Sequence, residues 1–395
     1  LLANLFAALQ IAVPTYLRHE IIIHFLRGSS IALSDSLPGV TKDTITAIRR
    51  FAGATLTELC LSNIKSTNKV KFDDDTFSSV IGDLKSLRTL VLRYAVDVHV
   101  FPSRGCTQVS SKTMNSAKNC RDLRVLNISE TSVPPSGLLP IFALRGRQLE
   151  IFKAANISSW TDSTFSKLLV ELAKLEDFSF AQLRTLKLRQ TNLSDVSLSP
   201  FVGLCPALRR LDLSFTLVRR PSSLFNSPLD LEKLSLTSTN VSWSDLPALV
   251  ARSPSLRKLA MGALGQNQMA GRSGMNMTTF TDEALASLTK ALADKDVLDT
   301  IILTGNAKLG LGSTTQRSLR SFVTQVGRKC RMLNMANIPY LRSGDLDGLL
   351  PADDGGHPAI STLVLNNTGI DDKCALYISC CLELTTLEIS STKFT

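Results

Sequence analysis

The sequence predicts an α/β solenoid, a curved horseshoe with a parallel β-sheet on its concave face and helices on its convex face. Three observations carry this. One short pattern returns four times between residues 183 and 264: LRTLKLRQTNL from Leu183, LRRLDLSFTLV from Leu208, LEKLSLTSTNV from Leu231 and LRKLAMGAL from Leu256, with leading leucines 25, 23 and 25 residues apart. Aliphatic residues fill positions 1, 4 and 6 of each unit. Positions 4 and 6 share the inward face of a strand of period 2, and position 1 turns into the same core. Second, one unit buries about three aliphatic side chains, roughly 1.5–3 kcal/mol each. That cannot offset the ordering of some 25 residues at about 1–2 kcal/mol apiece, so the units must stack to fold. Third, hydrophobic residues make up 44% of the chain but aromatic ones only 6%, so aliphatic side chains do the packing.

Taken in order, residues 1–54 hold no such unit and are expected to form a helical cap or docking segment. LLANLFAALQIA has a helical spacing of apolar residues. Pro14 breaks it and can open the next helix, in which Leu17, Ile21, Phe25 and Leu26 share one side. SSIALSDSLPG reads as a linker, and TKDTITAIRRFAG leads to the first strand.

Residues 55–395 read as an array of about twelve irregular repeats. Outside the central four, the same core stands at Leu56–Leu61, Leu87–Leu92, Leu123–Ile128, Leu149–Ala154, Leu298–Leu303, Cys330–Met335, Ile360–Leu365 and Leu384–Ile389. Leu175, Phe178 and Phe180 offer a rival register eight residues before Leu183 and are assigned to the preceding connection. Early steps of 31, 36 and 26 residues place extra chain in 65–77 and 97–120, and the 42-residue step from Leu256 to Leu298 holds GQNQMAGRSGMNMTTF. Inserted loops on a solenoid either carry binding or are tolerated slack. Met269, Met275 and Met277 suit an adaptable binding patch. TDEALASLTKALADKD then reads as a helix opened by Thr281 and Asp282, and 342–359 as an acidic loop.

In the regular region three ascending turns lead to Asp162, Asp195 and Asp245, each of which, or the Ser or Thr before it, suits a helix N-cap. Trp160 and Trp243 either cover the helix start like a hydrophobic staple or contact a ligand. A solenoid needs caps at its ends. Thr395 lies in the turn after a strand, so the array is expected to continue past it.

LxxLxL recurring at this spacing resembles the leucine-rich-repeat superfamily over most of the chain, which implies the horseshoe fold and a long open binding face. Cysteine just before the strand, in NCRDL, LCPAL, KCRML and CCLEL, is similar to the cysteine-containing repeats of F-box/Rad-seven-like ubiquitin-ligase adaptors. Thr stands where that family often has a second Cys. Residues 13–21 fit ΦPxxΦxxxΦ through Val13, Pro14, Leu17 and Ile21. This resembles the cullin-contacting box of elongin-BC-dependent receptors of the Zyg/Zer type, and also the opening of an F-box, although no second half of an F-box follows Leu26. The resemblance implies a ligase subunit docking on residues 1–30.

The formal net charge of +10 is either a soluble basic surface or the complement of an acidic partner. Positions 3, 5 and 7 face out onto the concave sheet. There the sequence places Lys153, Lys187, Arg189, Arg210, Lys233 and Lys258, with Arg184, Arg209 and Arg257 at the edge and one acid, Asp212, among them. This predicts a basic stripe across five successive strands that binds an acidic protein segment. Nucleic acid is disfavoured, because the stripe offers no aromatic side chains for bases to stack on.

Eight cysteines show no CxxC or Cys/His metal spacing. Cys120, Cys205, Cys330 and Cys381 read as small buried hydrophobes, which favours a reducing, intracellular compartment. Six Asn-x-Ser/Thr sequons, at Asn127, Asn156, Asn192, Asn240, Asn276 and Asn366, keep an extracellular alternative open. No apolar run reaches the 18–20 residues or so of a membrane span. No catalytic motif, cofactor-binding motif or metal site stands out among the four histidines or elsewhere. The expected function is a non-enzymatic protein-interaction scaffold, in its specific form the substrate-recognition subunit of a cullin-type ubiquitin ligase. The alternative is a ligand-binding receptor ectodomain.

Overall fold

The computed structural model describes residues 30–34, 48–49, 53, 55–62, 74–93, 109–225, 230–265, 280–312, 317–352 and 355–395. They fall into two compact units, Leu1–Thr191 with Leu204–Ala207, and Asn192–Gly203 with Leu208–Thr395. Both are α/β leucine-rich-repeat solenoid. The first holds β1 (Ser30–Ser34), β2 (Glu58–Ser62), β3 (Thr89–Arg93), β4 (Val125–Asn127), β5 (Ile151–Lys153) and β6 (Thr185–Lys187), each paired in parallel with the next. Its helices are α1 (Asp74–Ile81), α2 (Ser111–Ala117), α3 (Leu139–Arg145) and α4 (Asp162–Ala173). The second unit opens with α5 (Asp195–Gly203). It then has seven strands paired the same way: β7 (Arg210–Asp212), β8 (Lys233–Ser235), β9 (Lys258–Ala260), β10 (Thr300–Ile302), β11 (Met332–Asn334), β12 (Thr362–Val364) and β13 (Thr386–Glu388). Between them lie α6 (Leu246–Ala251), α7 (Asp282–Leu292), α8 (Ser318–Gln325) and α9 (Ala375–Ile378).

All twelve expected strands form, and the Leu183 register holds: Leu183, Leu186 and Leu188 are fully buried. Phe180 of the rival register is also buried, edge-on to Phe142 at 4.9 Å. The linker reading of 29–39 is corrected, because Ser30–Ser34 is a strand whose Ile31 pairs in register with Leu59. That register puts Gly28 where other repeats carry an aliphatic residue or Cys330, so the pattern is broken at its most visible position. The acidic stretch 342–359 is also more than a loop. Ser343–Leu349 is a 3-10 helix with Leu346 and Leu349 buried. The docking box at 13–21, residues 65–73 and 97–108 of the two insertions, and Met269, Met275 and Met277 lie outside the described residues.

The turn after each strand has its own grammar. From the Leu123 repeat on, the eighth position is left-handed in every repeat: Glu130, Asn156, Gln190, Phe215, Ser238, Ala263, Gly305, Asn337, Asn367 and Ser391, with φ from 48° to 78°. This costs a non-glycine residue about 1–2 kcal/mol. The strain is offset because the turned N–H extends the ladder beyond the strand, as from Phe215 to the Thr237 carbonyl and from Asn337 to the Asn366 carbonyl, both at 2.8 Å. The ninth position bridges the turn from inside. Thr191, Thr216, Thr239 and Thr368 are buried, and each donates its hydroxyl to the carbonyl three residues back at 2.6–2.8 Å. Thr239→Val keeps the shape but orphans the Leu236 carbonyl. It is expected to cost about 1–3 kcal/mol in urea unfolding, whereas Thr239→Ser, which keeps the hydroxyl, is expected to lose less.

Of the expected caps, Thr161 behaves as read: it accepts from the Thr164 N–H and opens α4. The aspartates reach further. Asp195 accepts from the N–H groups of Arg219 and Arg220 at 2.9 and 3.1 Å, and Asp245 from the Ser222 N–H at 2.7 Å. They tie one repeat to the next, because a helix start lies beside a neighbouring turn whose N–H groups lack partners. Asp74 does the same in the first unit, accepting from the N–H groups of Ser110, Lys112 and Thr113 and from the hydroxyls of Ser110 and Thr113. Burial alone would raise its pKa. The hydrogen bonds from Ser110 and Thr113 outweigh that and hold it below the usual carboxylate value. A depressed carboxylate contributes stability that is present above the unfolded-state pKa, near 3.9, and lost as pH falls through the folded one. Asp74→Asn is therefore expected to flatten the acid limb of the pH–stability curve below about pH 4; an unchanged limb would contradict this.

Cys120, Cys205, Cys330 and Cys381 are buried free thiols. Burial pushes Cys120 and Cys330 up to about 12 and Cys381 to about 11, and Cys205 upward as well. They pack as small hydrophobes and are unreactive near neutrality.

Candidate functional site

The open sheet face is built by strand alternation. With Leu186, Leu211, Leu234 and Leu259 pointing into the core, residues one step either side point out. In the first unit the register sets Lys153 directly beside Lys187. Both are half-buried, and Arg189 and Arg184 are exposed. Burial, and next the charge of Lys187, lower the Lys153 pKa.

In the second unit the register sets Arg210 beside Lys233 and Lys233 beside Lys258. Three cations thus stand in one row at about 4.8 Å per strand. Asp212 does not neutralise them: it lies two residues further along and accepts from the Ser214 N–H at 3.2 Å. Like charges directly opposite across strands destabilise a sheet, so this row is held by the leucines beneath it.

The expected five-strand stripe therefore resolves into two different rows. Lys153 and Lys187 occupy position 5 of their repeats, whereas Arg210, Lys233 and Lys258 occupy position 3. The edge arginines need a further correction. Arg209 pairs with Glu232 at 3.1 Å, and Arg257 pairs with Asp299 at 3.3 Å. Position 2 alternates in sign along β7–β10, as Arg209, Glu232, Arg257 and Asp299, so it adds no net positive charge. Glu232 also reaches Arg210, at 3.8 Å. The signal was present in the sequence: reading position 2 of every repeat, acids included, shows the alternation. Among the described residues no ion pair engages Lys153, Lys187 or Lys258.

A cleft of about 420 Å³ went unnoticed at the sequence level. Asp282, Leu311, Arg317, Tyr340, Arg342 and Asp345 line it. Its acids are largely structural. Asp282 holds Gly310 N–H, Gly312 N–H and the Ser318 hydroxyl at 2.7–2.9 Å, and Asp345 accepts from Arg342 N–H at 2.9 Å. Burial raises the Asp345 pKa despite that bond.

No family model and no curated protein matches the chain. Solved structures do. The crystal structure of the Rad7 and Elc1 complex in yeast matches with a TM-score of 0.55 and 14% identity, covering 98% of this chain and 87% of that one. An internalin from Listeria monocytogenes matches with a TM-score of 0.48 and 16% identity, covering 98% and 92%. At these identities the likeness is one of fold. Among the described residues no helix is long and apolar enough to cross a membrane.

Proposed function

We propose that the chain is a non-enzymatic protein-interaction scaffold whose second unit captures an acidic protein segment on the Arg210–Lys233–Lys258 row. The observation that carries this reading is the in-register row itself. Cations stand side by side on three adjacent strands, and an acidic partner brings carboxylates to that face. Lys153 and Lys187 form a second acceptor of the same kind in the first unit. The test is a titration of the chain with an Asp/Glu-rich peptide at 50 and 300 mM salt. Binding that weakens steeply with salt supports the reading, and salt-independent or absent binding sinks it.

The finer reading is a substrate-recognition subunit of a cullin-type ubiquitin ligase, acting in an intracellular compartment. Its supports are the ΦPxxΦxxxΦ run at Val13, Pro14, Leu17 and Ile21 and the fold shared with a structure in which Rad7 is complexed with Elc1. The buried free thiols agree with a reducing compartment. Affinity capture comparing the chain with a Pro14→Ala/Leu17→Ala/Ile21→Ala variant tests it. Elongin-, Skp- or cullin-like subunits retained by the first and lost from the second support it; none retained by either refutes it.

A further inference from the structure

The two tryptophans, alike in their sequence setting, have opposite fates. Trp160 is fully buried, donates its indole N–H to the Val133 carbonyl at 2.8 Å and stacks on Phe152. Trp243 opens the 3-10 turn Trp243–Asp245 and is 40% exposed. No acceptor for its indole N–H stands among the described residues. The difference is one residue of chain. Trp160 is the twelfth residue of its repeat and Trp243 the thirteenth, which turns the second ring outward. Burying an indole is favourable, so this ring keeps apolar surface that a partner can cover.

Its neighbours add charge. Ser242 donates its N–H to the Arg219 carbonyl at 2.8 Å, which brings the turns of the two repeats together. Arg219 and Arg220 are both exposed. The carboxylates nearest in sequence are engaged with main chain: Asp195 holds the N–H groups of Arg219 and Arg220, and Asp245 holds the Ser222 N–H and hydroxyl. Among the described residues neither guanidinium has an ion pair. On the far side stands Val196, next to Asp195 and 77% exposed. Across three successive repeats of the second unit the order is therefore apolar, cationic, cationic, aromatic. None of these residues belongs to the Arg210 row.

We infer that Val196, Arg219, Arg220 and Trp243 form a second docking surface, for an extended peptide in which two acidic residues stand between two apolar ones. Hydrogen bonds from main-chain N–H groups hold these turns side by side, Ser242 to Arg219 and Arg219 and Arg220 to Asp195, so a short extended segment at about 3.3 Å per residue can follow them. Arg pairs carboxylates in charge-assisted bonds. Trp supplies a large anchor with a free donor, the residue type that dominates interface energetics. Single-stranded nucleic acid fits less well, because Val196 has no counterpart on a phosphodiester chain and there is one ring where base stacking wants several.

The experiment has two arms, both on the whole chain. A displayed library of random dodecapeptides is panned on the protein, with counter-selection on Trp243→Ala/Arg219→Glu/Arg220→Glu. Clones specific to the unaltered protein are expected to share the pattern apolar–acidic–acidic–apolar. A tryptophan-free synthetic copy of such a clone is then titrated while indole emission is followed, Trp160 being buried. Saturable change is expected, abolished by Trp243→Ala and weakened at least tenfold by Arg219→Glu/Arg220→Glu. It should persist in Lys233→Glu/Lys258→Glu, which separates this surface from the row proposed above. No specific clones, clones lacking acidic residues, or a saturable response to oligo-uridylate but not to peptide would each overturn the inference.

Discussion

Asp282→Ala is expected to destabilise the second unit by about 3 kcal/mol or more. Asp282 is 7% exposed, and among the described residues its carboxylate accepts from Gly310 N–H at 2.9 Å, Gly312 N–H at 2.7 Å and the Ser318 hydroxyl at 2.7 Å. It joins the start of α7 to the loop before α8 and to α8 itself. Alanine leaves two N–H groups and one hydroxyl without that acceptor. Bonds to a charged group contribute about 1.5–3 kcal/mol each, and partial relaxation toward water recovers some of that. Asp282→Asn keeps the volume but offers one oxygen in place of two, so it is expected to fall between the two. Urea unfolding followed by circular dichroism reads the order; Asp282→Ala within about 0.5 kcal/mol of the unaltered protein would show that the loop finds other acceptors.

Reversing Arg210, Lys233 and Lys258 together to Glu is expected to weaken binding of an acidic segment about 100-fold. At about 1 kcal/mol per charge, three reversals amount to about 3 kcal/mol, and each 1.4 kcal/mol is tenfold. The same row makes a second, opposite prediction. Lys258 lies directly beside Lys233, with Thr300 on its other side. Lys258→Glu alone is expected to replace cross-strand repulsion by attraction and raise stability by about 0.2–1 kcal/mol while binding falls. Stability and binding moving in opposite directions identifies a binding surface, since a purely structural lysine would lose both. Unchanged affinity in the triple variant would remove the row from consideration.

The repeat pattern announced twelve strands because a solenoid repeats its packing demand. Every 23 to 42 residues the chain must again supply three inward side chains, and Leu at positions 1, 4 and 6 is hard to counterfeit. Where the pattern lacks an aliphatic residue at position 1 the signal fades, as at Gly28 before β1. Thr at position 9 was visible as a regularity, but its hydroxyl bond to the carbonyl three residues back was not. Left-handed position 8 was hidden almost completely: glycine, the usual sign of such a turn, stands only at Gly305, and Phe215 and Ala263 adopt the conformation because the next repeat accepts their N–H.

What the sequence determined by itself is therefore what alternation sets along one strand: the strands β2–β13, their inward faces, and which cations face outward. Local alternation settles those. What only the tertiary structure decided lies between repeats. It paired Arg209 with Glu232 and Arg257 with Asp299, turned Asp195, Asp245 and Asp282 toward neighbouring turns, buried Trp160 and left Trp243 in solvent. Those outcomes depend on a stacking distance near 4.8 Å between residues 23 to 42 apart in the chain. At that range a one-residue difference in turn length decides whether a side chain packs beneath its neighbour or stands beside it.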